Sequence, residues 1–143
     1  MRNFLILTNT DTTIGFVSQN AKKIDRAKKR PPDKHYIKAI NSLKTLKEFS
    51  RVPNRYRNLV RRAKKSSFII KSNSYRVIKN SKHNLLLDRF KWLYSSSANL
   101  SGEEFNEVYA KSVADIIVFE PDIKPSNPSK IYRLTNWRIE RIR

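Results

Sequence analysis

Short apolar runs alternate with segments whose apolar residues recur every three or four positions, and that alternation restricts the chain to few architectures. Residues 4–8, 36–40, 67–71, 75–78 and 114–119 are apolar and too short for helices, so they read as strands. Four segments carry helical spacing. They are 20–29 with Ile24 and Ala27 inside, 42–49 with Leu43 and Leu46, 53–63, and 83–91 with Leu85, Leu86 and Phe90. In the third, Tyr56, Leu59, Val60 and Ala63 fall at i, i+3, i+4 and i+7, with Arg55, Arg57, Arg61 and Arg62 on the outer face. Residues 129–134 and 137–142 read as closing strands after a proline-rich connection over 121–128. The expectation is an α/β (α+β) fold, a mixed β-sheet flanked by helices, in a single domain over residues 1–143.

Within that frame, residues 92–102 bear most on function. An aromatic strand, Trp92-Leu93-Tyr94, runs directly into Ser95-Ser96-Ser97-Ala98-Asn99-Leu100-Ser101-Gly102. Ser101 and Glu104 have the Ser-x-x-Glu spacing of a capping box, which predicts a helix over 103–112 with Phe105, Val108 and Tyr109 on one face. A strand entering a helix through small hydroxyls is where α/β folds hold ligands, and the free N–H groups of a helix start suit an anion. A plain polar turn satisfies the same spacing. A second hydroxyl cluster, Thr10-Asp11-Thr12-Thr13, follows the first strand and also reads two ways, as a self-capped turn or as donors around a polar ligand. The chain's two glycines, Gly15 and Gly102, sit beside these clusters.

Charge narrows the partners. Lys plus Arg is 31 against 12 for Asp plus Glu, a net charge of +19 that favours polyanions such as nucleic acid or nucleotide. Residues 22–65 hold much of it, with only Asp25, Asp33 and Glu48 opposing. Most of this charge belongs on solvated helix surface, but Lys28, Arg30 and Lys34 cluster where the first helix stops before Pro31-Pro32. The absence of cysteine excludes a disulfide framework and a thiolate nucleophile. Two scattered histidines and no carboxylate cluster predict no protein metal site. The apolar run at 4–7 is too short for a signal peptide or membrane span, so no membrane association and a cytoplasmic location are expected.

Several motifs, taken in order, resemble the YrdC-like family, the threonylcarbamoyl-AMP synthases of tRNA modification. The loop Thr10-Asp11-Thr12-Thr13-Ile14-Gly15-Phe16 is similar to that family's Pro-Thr-Asp-Thr-Val-Tyr-Gly-Leu, with Asn9 where it has proline and Ile14 where it has an aromatic. Lys28-Lys29-Arg30-Pro31 is similar to its Lys-x-Arg-Pro, and Lys34 falls where a further Lys is common. Tyr75-Arg76-Val77 resembles its Val-Arg-Val strand, and Ser95 to Gly102 its Ser-Thr-Ser-Ala-Asn-Leu-Ser-Gly. Ala114-Asp115-Ile116-Ile117 is similar to an Ala-Asp-hydrophobic strand.

The resemblance implies a twisted mixed sheet around a central basic cavity. It also implies a reaction in which L-threonine, bicarbonate and ATP give threonylcarbamoyl-AMP and pyrophosphate. On that expectation Lys28, Arg30, Ser97 and Asn99 form the catalytic and ATP-binding set, while Thr10, Arg76, Ser95 and Ser129 bind threonine. Mg²⁺ enters through the phosphates, and tRNA or tRNA-modification proteins are partners. The charge leaves an alternative open, a non-catalytic double-stranded RNA or tRNA-binding module on the same fold, with the arginine-rich helix tracking a phosphate backbone. A relative that binds nucleotide but acylates another acceptor is a third reading.

Overall fold

The computed structural model describes residues 3–10, 12–31, 35–78, 83–118 and 129–143. Nine strands are seen among them: β1 Ile6–Asn9, β2 Ile14–Ser18, β3 Ile37–Ile40, β4 Ser66–Ile70, β5 Asn73–Val77, β6 Trp92–Ser97, β7 Ile116–Val118, β8 Lys130–Leu134 and β9 Ile139–Arg141. Five α-helices accompany them: α1 Ala21–Lys28, α2 Leu43–Phe49, α3 Arg57–Arg62, α4 His83–Phe90 and α5 Glu107–Val113. The strands form one mixed sheet in the order β7-β1-β2-β6-β3-β5-β4-β8-β9. The β1–β7, β3–β5 and β4–β8 pairs are parallel, and the other neighbours are antiparallel.

Both faces of the sheet are covered, as the runs of buried residues on single strands require. Leu7 and Phe16 pack with Ile24 and Ala27 of α1 and Ala110 of α5. Their sequence neighbours Ile6 and Val17 face the other way, onto Leu87 of α4, Ala39 and Leu93. A third cluster gathers Leu46 of α2 and Val60 of α3 over Ile40, Phe68, Tyr75 and Val77. At the β7 end, the Asp115 carboxylate accepts the Leu5 N–H at 2.8 Å and lies 3.3 Å from Lys23 Nζ. The Leu5 bond, followed by the Lys23 contact, holds this carboxyl below its ordinary range.

Several elements differ from the sequence expectation. The first hydroxyl loop ends at Thr13, and Ile14–Ser18 is a strand hairpinned onto β1 with Ile6 opposite Val17. Gly15 and the neighbouring threonines hide that strand, yet Phe16 and Val17 are fully buried on opposite faces. Three consecutive leucines leave the phase of α4 open. The helix turns Leu87 and His83 inward and leaves Leu85 77% exposed. In α3, Val60 is buried and Leu59 is exposed, because a 3₁₀ turn over Asn54–Tyr56 precedes the helix and shifts its phase. The strand expected over 114–119 is an edge strand with Ile117 and Val118 largely exposed. Trp137 lies in the turn between β8 and β9, outside the closing strand. The expected connection over 121–128, Lys34 and Phe119 lie outside the described residues.

The helix expected from the Ser101–Glu104 capping box starts later. Gly102 has φ +79°, a left-handed conformation that stops a right-handed turn from forming there. Asn106 is the N-cap instead, its Oδ1 accepting from Tyr109 N–H at 3.1 Å, and Val108 points to solvent. The helix start is therefore not at the end of β6, and its N–H groups are not presented to residues 95–99 as the capping-box reading required. Asn106→Ala should lower unfolding free energy by about 1 kcal/mol, whereas Ser101→Ala should change it by less than about 0.5 kcal/mol. Urea denaturation of both variants checks this.

Candidate functional site

The hydroxyl loops meet because β2 lies directly against β6. Gly15 is paired with Ser97, and Phe16 with Ser96. A Cβ added at Gly15 would come 2.8 Å from the Ser96 carbonyl oxygen and 2.9 Å from Thr10 Cγ2. Only glycine lets the backbone and the threonine turn close to this distance. Thr10 shapes the turn itself: its Oγ1 donates to Thr13 O at 2.7 Å and accepts from Thr13 N–H at 3.2 Å.

Around this junction lies a cavity of about 500 Å³, within the range of small-molecule sites. Thr10, Thr12 and Thr13 line one side, and Ser95, Ser96 and Ser97 another. Arg30 reaches it from beyond α1, Arg76 from β5, and Ser129 from the start of β8. His35, Tyr36, Ile37 and Arg143 also line it, and no Asp or Glu is among the described lining residues. Six predicted site residues thus share one hollow: Thr10, Arg30, Arg76, Ser95, Ser97 and Ser129.

Two predicted residues stand behind it. Lys28 does not line the cavity; it is 4% exposed. Its Nζ donates to Ser97 O at 2.7 Å, Asn99 O at 2.8 Å and Asn99 Oδ1 at 3.4 Å, which uses all three ammonium donors. Asn99 is likewise absorbed in the loop. Its Nδ2 donates to Glu103 O at 2.7 Å and Leu100 O at 3.0 Å, and its Oδ1 accepts from Ser97 Oγ. Ser101 N–H bonds Lys28 O at 3.1 Å and Tyr109 Oη bonds Ala27 O at 2.7 Å, so the last carbonyls of α1 are also tied to this loop and to α5. The Lys-x-Arg motif therefore divides: Lys28 braces the serine loop from behind, and Arg30 faces the hollow.

The remaining cations are held in place. Arg76, 7% exposed, donates through Nε and Nη2 to Ser67 Oγ at 3.0 and 2.9 Å, and through Nη2 to Ser129 Oγ at 2.6 Å. Arg143 donates through Nε to Ser129 O at 3.1 Å. The Arg30 guanidinium lies 4.9 Å from the Tyr36 ring centroid, and Tyr36 Oη donates to Asp25 Oδ1 at 2.5 Å. Burial, then the bond to Asp25, raises the Tyr36 phenol above its ordinary range, so it stays a neutral donor. Tyr36, His35 and Arg143 were not legible as site residues; no spacing relates them to the serine loop, and only the sheet brings them there. A larger hollow of about 1030 Å³ lies between the start of α1, α2 and the end of α4, but none of the predicted site residues lines it.

A family model, Sua5_yciO_yrdC, described as "Telomere recombination", matches residues 2–143. The chain belongs to this family. Among curated relatives, the Mycoplasma genitalium protein MG259, itself uncharacterized, is 27% identical over 147 residues, covering 94% of this chain and 31% of its own length. P. abyssi Sua5 complexed with L-threonine superposes with a TM-score of 0.79 at 18% identity, over 98% of this chain and 50% of that one. E. coli YciO gives 0.79 at 19% identity, over 98% of this chain and 82% of that one. The Sua5/YciO/YrdC chain thus has the fold of both structures, and spans about a third of the curated relative and half of Sua5.

Two outcomes follow from the geometry. Gly15→Ala should destabilise by about 2 kcal/mol, since the obstructing atom is backbone and cannot rotate away; thermal unfolding measures it. Burial, aided by the Arg30 charge, pulls the Lys28 ammonium down to about 8 from 10.5. Between those pH values the unfolded chain holds a proton that the folded chain has lost, so this group's contribution to stability rises with pH across the window and is flat below it. The wild type should therefore gain Tm relative to Lys28→Met as pH rises from 8 to 10.

Proposed function

We propose that the cavity makes L-threonylcarbamoyladenylate from L-threonine, bicarbonate and ATP, for threonylcarbamoyladenosine modification of tRNA. The observation that carries this reading is the convergence of Arg30, Arg76 and the hydroxyls of Thr10, Ser95, Ser97 and Ser129 on one hollow, with no Asp or Glu among its described lining residues. Family membership and the presence of L-threonine in the P. abyssi Sua5 structure support it. A binding-only RNA module would leave that convergence without a role.

In this reaction the threonine amine and bicarbonate condense with loss of water to a carbamate. A carbamate oxygen attacks the α-phosphorus of ATP, the bond from that phosphorus to the bridging oxygen breaks, and pyrophosphate leaves. The protein's part is alignment and charge neutralisation rather than covalent chemistry. Arg30, steadied on Tyr36, presents a planar fork to phosphate oxygens. Ser97 turns its hydroxyl from Asn99 Oδ1 to donate to phosphate or ribose oxygens. Arg76 faces the threonine carboxylate or the carbamate, and Thr10, Ser95 and Ser129 hold the amino acid's polar groups. Lys28 and Asn99 position the serine loop. Mg²⁺ bound through the triphosphate would supply charge neutralisation to the pyrophosphate leaving group, with Arg30 and Ser97 holding the phosphates. Enclosure supplies the strength: unit charges about 4 Å apart attract by roughly 4 kcal/mol at an effective dielectric near 20, against roughly 1 kcal/mol in water.

The purified protein, given ATP, Mg²⁺, labelled bicarbonate and threonine, should release pyrophosphate and form the labelled adenylate only when threonine is present. Arg30→Ala should lower kcat/KM by about a hundredfold with the fold intact. No threonine-dependent product, where an active synthase yields it, would reject the reading.

A further inference from the structure

Asp25 is close enough to Arg30 in the chain to cancel its charge, yet the fold keeps the two side chains from pairing. Past the end of α1, Lys29 turns left-handed at φ 51°, and the Arg30 N–H then bonds Asp25 O at 3.0 Å. Both side chains are half-buried, a setting in which opposite charges attract several times more strongly than in water. Among the described residues, however, no ion pair joins them. Tyr36 contacts both instead. It is 7% exposed. Its Oη donates to Asp25 Oδ1 at 2.5 Å, and its ring carries the Arg30 guanidinium 4.9 Å from the centroid. The hydroxyl takes the carboxylate, and the ring face takes the cation.

From this we infer that Tyr36 is a positioning residue: its hydroxyl occupies Asp25 and so leaves the Arg30 guanidinium uncancelled, free to bind a phosphate group in the cavity. The inference rests on the proposed role of Arg30 and adds what sets its strength. A phenol suits the task, because its O–H makes a charge-assisted bond to a carboxylate without bringing a second charge to the site. A ring face holds a guanidinium loosely and leaves its N–H fork to an anion, whereas a carboxylate takes two of those N–H groups as a bidentate pair. Phenylalanine at this position would keep the ring and release Asp25; leucine would lose both functions. Asp25 lies on α1 and Tyr36 just before β3, so no local spacing announces the pair.

Isothermal titration calorimetry of the full chain with inorganic tripolyphosphate reads this effect apart from turnover. Tyr36→Phe should weaken binding about tenfold, as Asp25 turns to Arg30. Tyr36→Phe combined with Asp25→Asn should return the affinity to within about twofold of wild type, because the released side chain no longer carries a charge. In an Arg30→Ala background Tyr36→Phe should change nothing, since it acts through that arginine. In the assay of threonine-dependent pyrophosphate release, Tyr36→Phe should raise KM for ATP about tenfold and change kcat by less than about twofold. Unchanged affinity in Tyr36→Phe, a loss that Asp25→Asn does not reverse, or an equal loss in the Arg30→Ala background would overturn the inference, as the hydroxyl would then serve folding alone. Failure of the wild type to bind tripolyphosphate would overturn it too. The expected pattern of binding in a protein that releases no pyrophosphate would reject the proposed reaction and leave the inference standing.

Discussion

The missing Cβ at Gly15 is the constraint on which the candidate site depends. It lets β2 lie against β6 with the Thr10 turn folded down onto the same spot, 2.9 Å from where a methyl would stand. Without that approach the threonine turn and the serine run would be two separate polar loops. With it they form two walls of one hollow, and β3 and β5, next in the sheet beyond β6, bring in the residues that precede β3 and Arg76.

Lys28 completes the arrangement from behind. A buried ammonium is costly unless every donor is met, and here Ser97 O, Asn99 O and Asn99 Oδ1 meet all three. The lysine is thereby converted from a ligand-facing charge into a brace that fixes the C-terminal end of β6. Arg30, two residues past the helix end, is left to face the cavity and is steadied by the Tyr36 ring, itself anchored on Asp25. Two cations of one motif, two positions apart, thus do different work, and the difference follows from which one the helix C-terminus turns inward.

Much of the architecture was legible because it rests on local rules. Asn20 caps α1 and Ser42 caps α2 where polar residues precede helical spacing. Short apolar runs became β3, β4, β5 and β6 near the expected places. The misreadings have local causes as well. The run Leu85, Leu86 and Leu87 supports more than one helix phase, Gly15 disguised β2, and Gly102 at positive φ defeated a capping box whose spacing was otherwise correct.

Residue order alone determined the alternation of strands and helices, the excess of positive charge, and which hydroxyl and basic clusters exist, because these depend on side-chain type and spacing of a few positions. Only the tertiary structure decided which clusters meet. Strand order β2-β6-β3-β5 places Thr10, Ser95, Arg76 and Arg30 around one hollow, withdraws Lys28 and Asn99 into its wall, and adds Tyr36, His35 and Arg143. The physical reason is that sheet pairing joins residues separated by tens of positions through backbone hydrogen bonds, which carry no trace in the local pattern of side chains.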